Sequence, residues 1–200
     1  MRKETDYDLI IFDFHKTLTD ALYFDQFDLV TRDTISKLIF RPPYHLDWDK
    51  KWMVGKIRID DVLEHLSENL GISLFSLEES LYRGLKNTKW NQSIWDFSQS
   101  IRGKTKTAIA TINTDVFSDF LVPHFALDQK FDVIINSHET GLENKSELCF
   151  MVLEELKMNL EDNRVLLIDD KAKNIDEFRD AGGEGYLYKS DEEFKEWIKS

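Results

Sequence analysis

Apolar residues fall into two kinds of pattern along this chain. Leu9-Ile10-Ile11-Phe12, Thr107-Ala108-Ile109-Ala110-Thr111-Ile112, Val133-Ile134-Ile135 and Val165-Leu166-Leu167-Ile168 are short, nearly continuous runs, each followed by polar residues. Runs of this kind predict parallel strands buried on both faces. Gly185-Tyr186-Leu187-Tyr188 is a weaker fifth. Between the later runs the spacing turns helical. Glu147 to Met158 sets Leu148, Phe150, Met151, Leu153 and Leu156 at roughly helical intervals, and Lys171 to Ala181 predicts a second helix stopped by Gly182-Gly183. Asp115 to Val122 predicts a shorter third, which Pro123 is expected to end. This alternation predicts an α/β fold, a doubly wound parallel sheet with helices on both faces.

From about Leu18 to Gly103 the rhythm changes. Buried-strand runs are missing and helical patterns replace them: Phe27 to Phe40, closed off by Pro42-Pro43, then Asp60 to Leu70 and Leu77 to Leu85. The expected organisation is a core made of residues 1–18 and 104–200, with residues 19–103 forming a helical insert over the strand ends. Trp48, Trp52, Trp90 and Trp95 fall in the insert, where they are expected to fill a small core.

Composition narrows the function classes. At 200 residues and 42% hydrophobic, the chain can bury a sizeable core and is not disordered. No apolar run approaches the ~20 residues that span a bilayer, and Met1 to Asp8 lacks the pattern of a signal peptide, so no membrane partner is expected. The single cysteine, Cys149, rules out an internal disulfide framework, fits a reducing cytoplasmic compartment and reads as a buried small hydrophobe. A formal net charge of −12 repels polyanions, so nucleic acid is not an expected partner. A small phosphate ester needs only a local cationic pocket.

In an open α/β sheet, ligands bind beyond the carboxyl ends of the strands. The first strand delivers Asp13-Phe14-His15-Lys16-Thr17 there, the second Asn113-Thr114-Asp115, and the fourth Asp169-Asp170. The third leads through Ser137-His138-Glu139 to Asn144-Lys145. Adjacent aspartates after an apolar run are costly unless cations or hydrogen-bond donors meet them. With Asp13 they make an oxygen-rich set suited to Mg²⁺, and a carboxylate beside such an ion is a competent nucleophile for phosphoryl transfer. Helix capping is the alternative use of each aspartate alone. Their meeting at matching strand ends favours the metal.

Asp13-Phe14-His15-Lys16-Thr17-Leu18 after an apolar strand resembles the first motif of the haloacid dehalogenase superfamily, normally Asp-x-Asp-x-Thr. Leu167-Ile168-Asp169-Asp170-Lys171-Ala172-Lys173-Asn174 resembles its fourth, and Asn113 through Ser137 to Gly141 is similar to the family's middle. The stretch from Gly55 to Gly71 is similar to the small helical cap of the first cap class. The resemblance implies a Mg²⁺-dependent phosphatase acting on a small phosphorylated metabolite. It makes Asp13 the nucleophile, and Asp13, Asp170, the His15 carbonyl and, directly or through water, Asp169 the metal ligands. Thr17, Asn113, Thr114 and Lys145 are the candidate substrate-binding residues, Thr114 and Lys145 as substitutes for groups missing from their usual places.

Departures from that pattern define what to look for. His15 stands where the family's phosphatases carry a second, acid–base Asp; an imidazole with a reference pKa of ~6.5 can do that work. Lys16 stands where glycine is usual. Ile112 occupies the place of a phosphate-binding hydroxyl, and Thr111 is expected to face the other side of its strand. Asn144 occupies the place of a lysine, with Lys145 one position late. Two other readings follow: a catalytically silent member that binds a ligand or protein, and a carbon–halogen hydrolase. The latter works without a metal and would leave Asp169 and Asp170 unneutralised, so it ranks third.

Overall fold

All five apolar runs form strands of one parallel sheet in the order β3-β2-β1-β4-β5: β1 (Leu9–Phe12), β2 (Lys106–Thr111), β3 (Val133–Asn136), β4 (Val165–Asp169) and β5 (Glu184–Leu187). The computed structural model describes residues 6–21, 23–41 and 47–199. Pro42-Pro43, the expected stop after the first insert helix, lies outside the described residues. The chain leaves β1 for β2 on one side and reaches β4 on the other, so the strand order reverses between β1 and β4. A crevice opens at such a reversal, beyond the carboxyl ends.

Side-chain alternation divides the core in two. Leu9, Ile11, Ala108, Ala110, Val165 and Leu167 face one way, onto Leu148, Cys149, Val152, Ile175 and Phe178 of α8 (Lys145–Leu156) and α9 (Ala172–Asp180). Ile10, Phe12, Ile109, Leu166 and Ile168 face the other way, where α5 (Gln92–Ser100), α10 (Asp191–Lys199) and the insert meet them. Cys149 is a buried free thiol whose pKa burial pushes up to about 12. Among the described residues, no helix is long and apolar enough to cross a membrane.

The insert contributes α1 (Leu29–Ile39), α2 (Trp48–Met53), α3 (Ile59–Leu70) and α4 (Leu74–Lys86). Residues 92–100, grouped with the insert by pattern alone, form α5, which lies on the sheet: Phe97 stacks edge-on against Phe12 and against Phe194 of α10. The Ser93 amide also donates to Asp191 at the start of α10. Helical periodicity could not separate α5 from the insert, because both are amphipathic helices and only the partner differs.

Pro123 does not end its helix. A π-helical turn spans Phe117–Leu121 and α6 (Val122–Phe125) continues from it, with Pro123 in its first turn. Proline has no N–H for the helical ladder, and the departure from α geometry falls in the turn immediately before it. The tryptophans expected to fill a core in the insert divide: Trp52 is fully buried and Trp48 stacks on His65 at 4.2 Å, whereas Trp90 and Trp95 stack on each other at 4.0 Å and pack against Phe14, Phe125 and Phe131 of the core.

Trp52 also fastens the insert to the core. Its indole Nε1 donates to Asp115 Oδ1 at 2.6 Å, and Asp115 Oδ2 accepts from the Ile59 amide at 3.0 Å and pairs with Arg58 Nε at 3.6 Å. The Trp52 and Met53 carbonyls meet His138 Nδ1 and Ser137 Oγ, both at 2.6 Å, at α7 (Ser137–Thr140). Gly55 passes so close, at φ +73°, that a Cβ would collide with the His138 carbonyl oxygen. Trp52→Phe keeps an aromatic ring but takes one donor from a buried carboxylate. The expected cost is about 1.5–3 kcal/mol, read as a fall in Tm of about 3–12 °C. An unchanged Tm would show that the clasp contributes nothing.

Candidate active site

Parallel pairing sets the first two functional loops side by side. Phe12 is in register with Ile168, and the Asp13 amide donates to the Ile168 carbonyl at 2.9 Å. Asp13 therefore leaves β1 beside Asp169 and Asp170. One carboxylate oxygen from each of the three lies within 4.8 Å of the others. Asp13 and Asp169 are buried and Asp170 is half-buried.

A cation also reaches this cluster. Lys145 is 2% exposed, with Nζ 2.6 Å from Asp13 Oδ1, 3.3 Å from Asp169 Oδ2 and 2.6 Å from the Ala110 carbonyl oxygen. It stands in the first turn of α8, directly after Asn144, whose side chain caps that helix by accepting from the Ser146 and Glu147 amides. The one-residue offset seen in the sequence thus separates two jobs, Asn144 holding the helix start and Lys145 pointing into the carboxylates. Burial opposes the Lys145 charge, but Asp13 and Asp169 hold the ammonium above its ordinary pKa.

The two aspartates of the fourth loop are treated differently by their surroundings. Asp169 Oδ1 accepts from the Lys171 amide at 2.8 Å, and Asn174 Nδ2 reaches both of its oxygens at 2.9 and 3.0 Å. Asp170 Oδ1 is buried with no hydrogen-bond partner. Burial, then the charge of Asp13, raises the Asp169 pKa; burial, then the charge of Asp169, raises that of Asp170. A crowded acidic cluster with an orphaned oxygen fits a hard, oxygen-seeking cation such as Mg²⁺. Asp13, Asp170 and, directly or through water, Asp169 are the residues that would hold it.

The remainder of the β1 loop is tied down from both sides. Lys16 sits at φ +63°, a left-handed conformation that favours glycine, with its amide donating to the Thr19 carbonyl at 2.7 Å. Asn91 grips the loop through its own amide to the Leu18 carbonyl and its side chain to the Thr17 carbonyl, both 2.9 Å. Thr17 is fully buried and its hydroxyl has no partner. His15 is half-buried beside the cluster; burial lowers its pKa below the usual imidazole value, partly offset by Asp13.

At the end of β2, Asn113 and Thr114 are buried and both engaged by Tyr23. The Tyr23 hydroxyl donates to Asn113 Oδ1 at 2.7 Å and lies 3.0 Å from Thr114 Oγ1. Thr111 is buried with an unpartnered hydroxyl, and it shares the strand parity of Ile109 rather than Ala110. Ile112 instead lines a cavity of about 630 Å³ between the loops and the insert, together with His15, Lys16, Tyr23 and Asn113. Among the described residues that line it there is no tryptophan. Tyr23 and the Trp52–Asp115 pair escaped sequence reasoning, because each joins positions that periodicity treats as unrelated.

The chain has the fold of the haloacid dehalogenase superfamily. Its structure superposes on a predicted HAD-like family hydrolase from Porphyromonas gingivalis with a TM-score of 0.69 at 18% identity, covering 96% of each chain. A HAD family enzyme from Bacteroides thetaiotaomicron gives 0.72 at 14% identity, over 97% of this chain and 99% of that one. That enzyme has also been crystallised with magnesium and inorganic phosphate, a form that matches at 0.68 and 15% identity over 92% and 95% of the two chains. No family model matches the sequence, and no curated protein matches it.

Proposed function

We propose that this chain is a Mg²⁺-dependent phosphatase that acts on a small phosphate ester through an aspartyl-phosphate at Asp13. The observation that carries the reading is the buried cluster of Asp13, Asp169 and Asp170 with the Lys145 ammonium among them. The B. thetaiotaomicron enzyme that shares the fold, with its magnesium and phosphate, supports the choice of ion and of reaction. The lone buried thiol suits a reducing cytoplasm.

In this mechanism the free oxygen of Asp13 attacks phosphorus and the P–O bond to the alcohol breaks. His15 gives a proton to the departing oxygen. It then takes one from the water that opens the acyl phosphate, which frees Asp13 and releases phosphate. Lys145 balances charge on Asp13 and Asp169 throughout, and Asn174 keeps Asp169 oriented. Bound Mg²⁺ would supply charge neutralisation to the phosphoryl oxygens.

Hydrolysis of p-nitrophenyl phosphate and a panel of phosphorylated metabolites tests this. Mg²⁺-dependent turnover absent from Asp13→Asn is expected. A wild type no better than Asp13→Asn would leave a ligand-binding member of the fold, the reading favoured by Ile112 in the cavity wall and by a Thr114 hydroxyl already engaged by Tyr23.

Metal binding has its own readout. At a hundredfold excess over Kd, Mg²⁺ should add about 2.7 kcal/mol, or a Tm rise of about 5–11 °C. Asp170→Asn should lose most of that rise while matching or exceeding the metal-free Tm of the wild type, because it removes a crowded charge with an orphaned oxygen. An Mg²⁺-insensitive wild type would sink the metal site.

A further inference from the structure

The cavity beside the β1 loop, whose wall includes His15 and Lys16, has an unusual balance of charge for so acidic a chain. Its walls are largely apolar, with Phe14, Phe24, Ile35, Phe40, Leu85 and Leu121 among them. Among the described residues, its ionised side chains beyond the β1 loop come from the insert: Arg32, Asp33 and Arg41. Asp33 is already neutralised, 2.7 Å from Lys37 and 3.0 Å from Arg41. Arg32 has no carboxylate partner among the described residues; its guanidinium reaches only the Asp25 backbone carbonyl, at 3.5 Å, too long to satisfy it. Lys16, exposed on the β1 loop, lines the same space.

Arg32, half-buried in the wall of an apolar cavity with no carboxylate partner among the described residues, suits an anion with two acceptor oxygens, which a guanidinium binds through two parallel N–H donors. On the phosphatase reading the phosphoryl group is held at Asp13, two residues before His15 in the cavity wall. A volume of about 630 Å³ leaves room for a substrate body well beyond that group. We infer that Arg32 is a specificity-determining residue, and that the preferred substrate is a phosphate monoester with an apolar body and a second anionic group, a carboxylate or a further phosphate, at its far end. The inference rests on the phosphatase reading for the placement of the first phosphate and adds the class of molecule attached to it.

The kinetic test compares simple alkyl phosphates with ω-carboxyalkyl phosphates and alkane-α,ω-bisphosphates of two to six carbons. For the chain length that spans the cavity, kcat/KM of the wild type should exceed that of the uncharged ester by at least tenfold. Arg32→Met, which keeps the apolar stem, should collapse this ratio, and Arg32→Lys should restore only part of it. The better of the carboxylate and bisphosphate series identifies the second anion. No preference at any length, or a ratio that survives Arg32→Met, overturns the inference. Should no ester be hydrolysed at all, the phosphatase reading fails, and calorimetry with ω-carboxyalkylphosphonates and plain alkylphosphonates in Mg²⁺ judges the subsite alone. There, a carboxylate-dependent gain of tenfold or more in Kd that Arg32→Met removes upholds it, and equal binding of the two series overturns it.

Discussion

Asp13→Asn is expected to abolish Mg²⁺-dependent phosphate-ester hydrolysis, a loss of about a thousandfold or more. An amide cannot form the acyl phosphate, and it also withdraws one of the three carboxylates that gather at the strand ends. The fold should survive the change. Lys145 keeps Asp169 at 3.3 Å and the Ala110 carbonyl at 2.6 Å, so the buried ammonium is not orphaned. Circular dichroism and Tm near wild type, together with background turnover, form the expected result. Acid-quenched wild type should carry a hydroxylamine-sensitive phosphoryl group that Asp13→Asn lacks. Turnover persisting in the variant would place the nucleophile elsewhere.

Lys145→Met is expected to damage both activity and stability. Methionine matches the lysine stem in length and leaves Asp13 and Asp169 buried without their cation. Breaking one side of a buried ion pair in this way costs about 3–5 kcal/mol, and removing a charge-stabilising group from a reacting centre costs about a hundred- to a thousandfold in rate. The two effects can be separated. Adding Asp13→Asn to Lys145→Met should return part of the lost stability and none of the activity, since it relieves the uncompensated charge and removes the nucleophile together. Mg²⁺ should also raise the Tm of Lys145→Met by more than it raises that of the wild type, because the ion then supplies the missing positive charge. Denaturant unfolding with and without Mg²⁺ checks this. Wild-type stability in Lys145→Met would mean that the carboxylates do not depend on the lysine.

The sequence by itself was enough to place the strands, because Leu9-Ile10-Ile11-Phe12 and its counterparts are continuous apolar runs that no surface element could carry. It was also enough to locate Asp13 and the Asp169-Asp170 pair, since carboxylates directly after buried strands stand out by their cost. Helix boundaries were legible where a local residue ended them, as at Gly182, which takes φ +100°. They were not legible at Pro123, where a π-helical turn changes which backbone groups need partners.

What only the tertiary structure decided are the contacts between residues distant in the chain. Lys145 looked displaced by one position, yet a helix that starts at an Asn144 cap turns it onto Asp13, 132 residues away. Tyr23 on Asn113 and Thr114, Trp52 on Asp115, α5 on the sheet and Arg32 in the cavity wall are of the same kind. Periodicity records whether a side chain must be buried, and that depends on neighbours within a turn or two. Which partner it meets depends on how separate elements are oriented when they pack, and no local pattern carries that orientation.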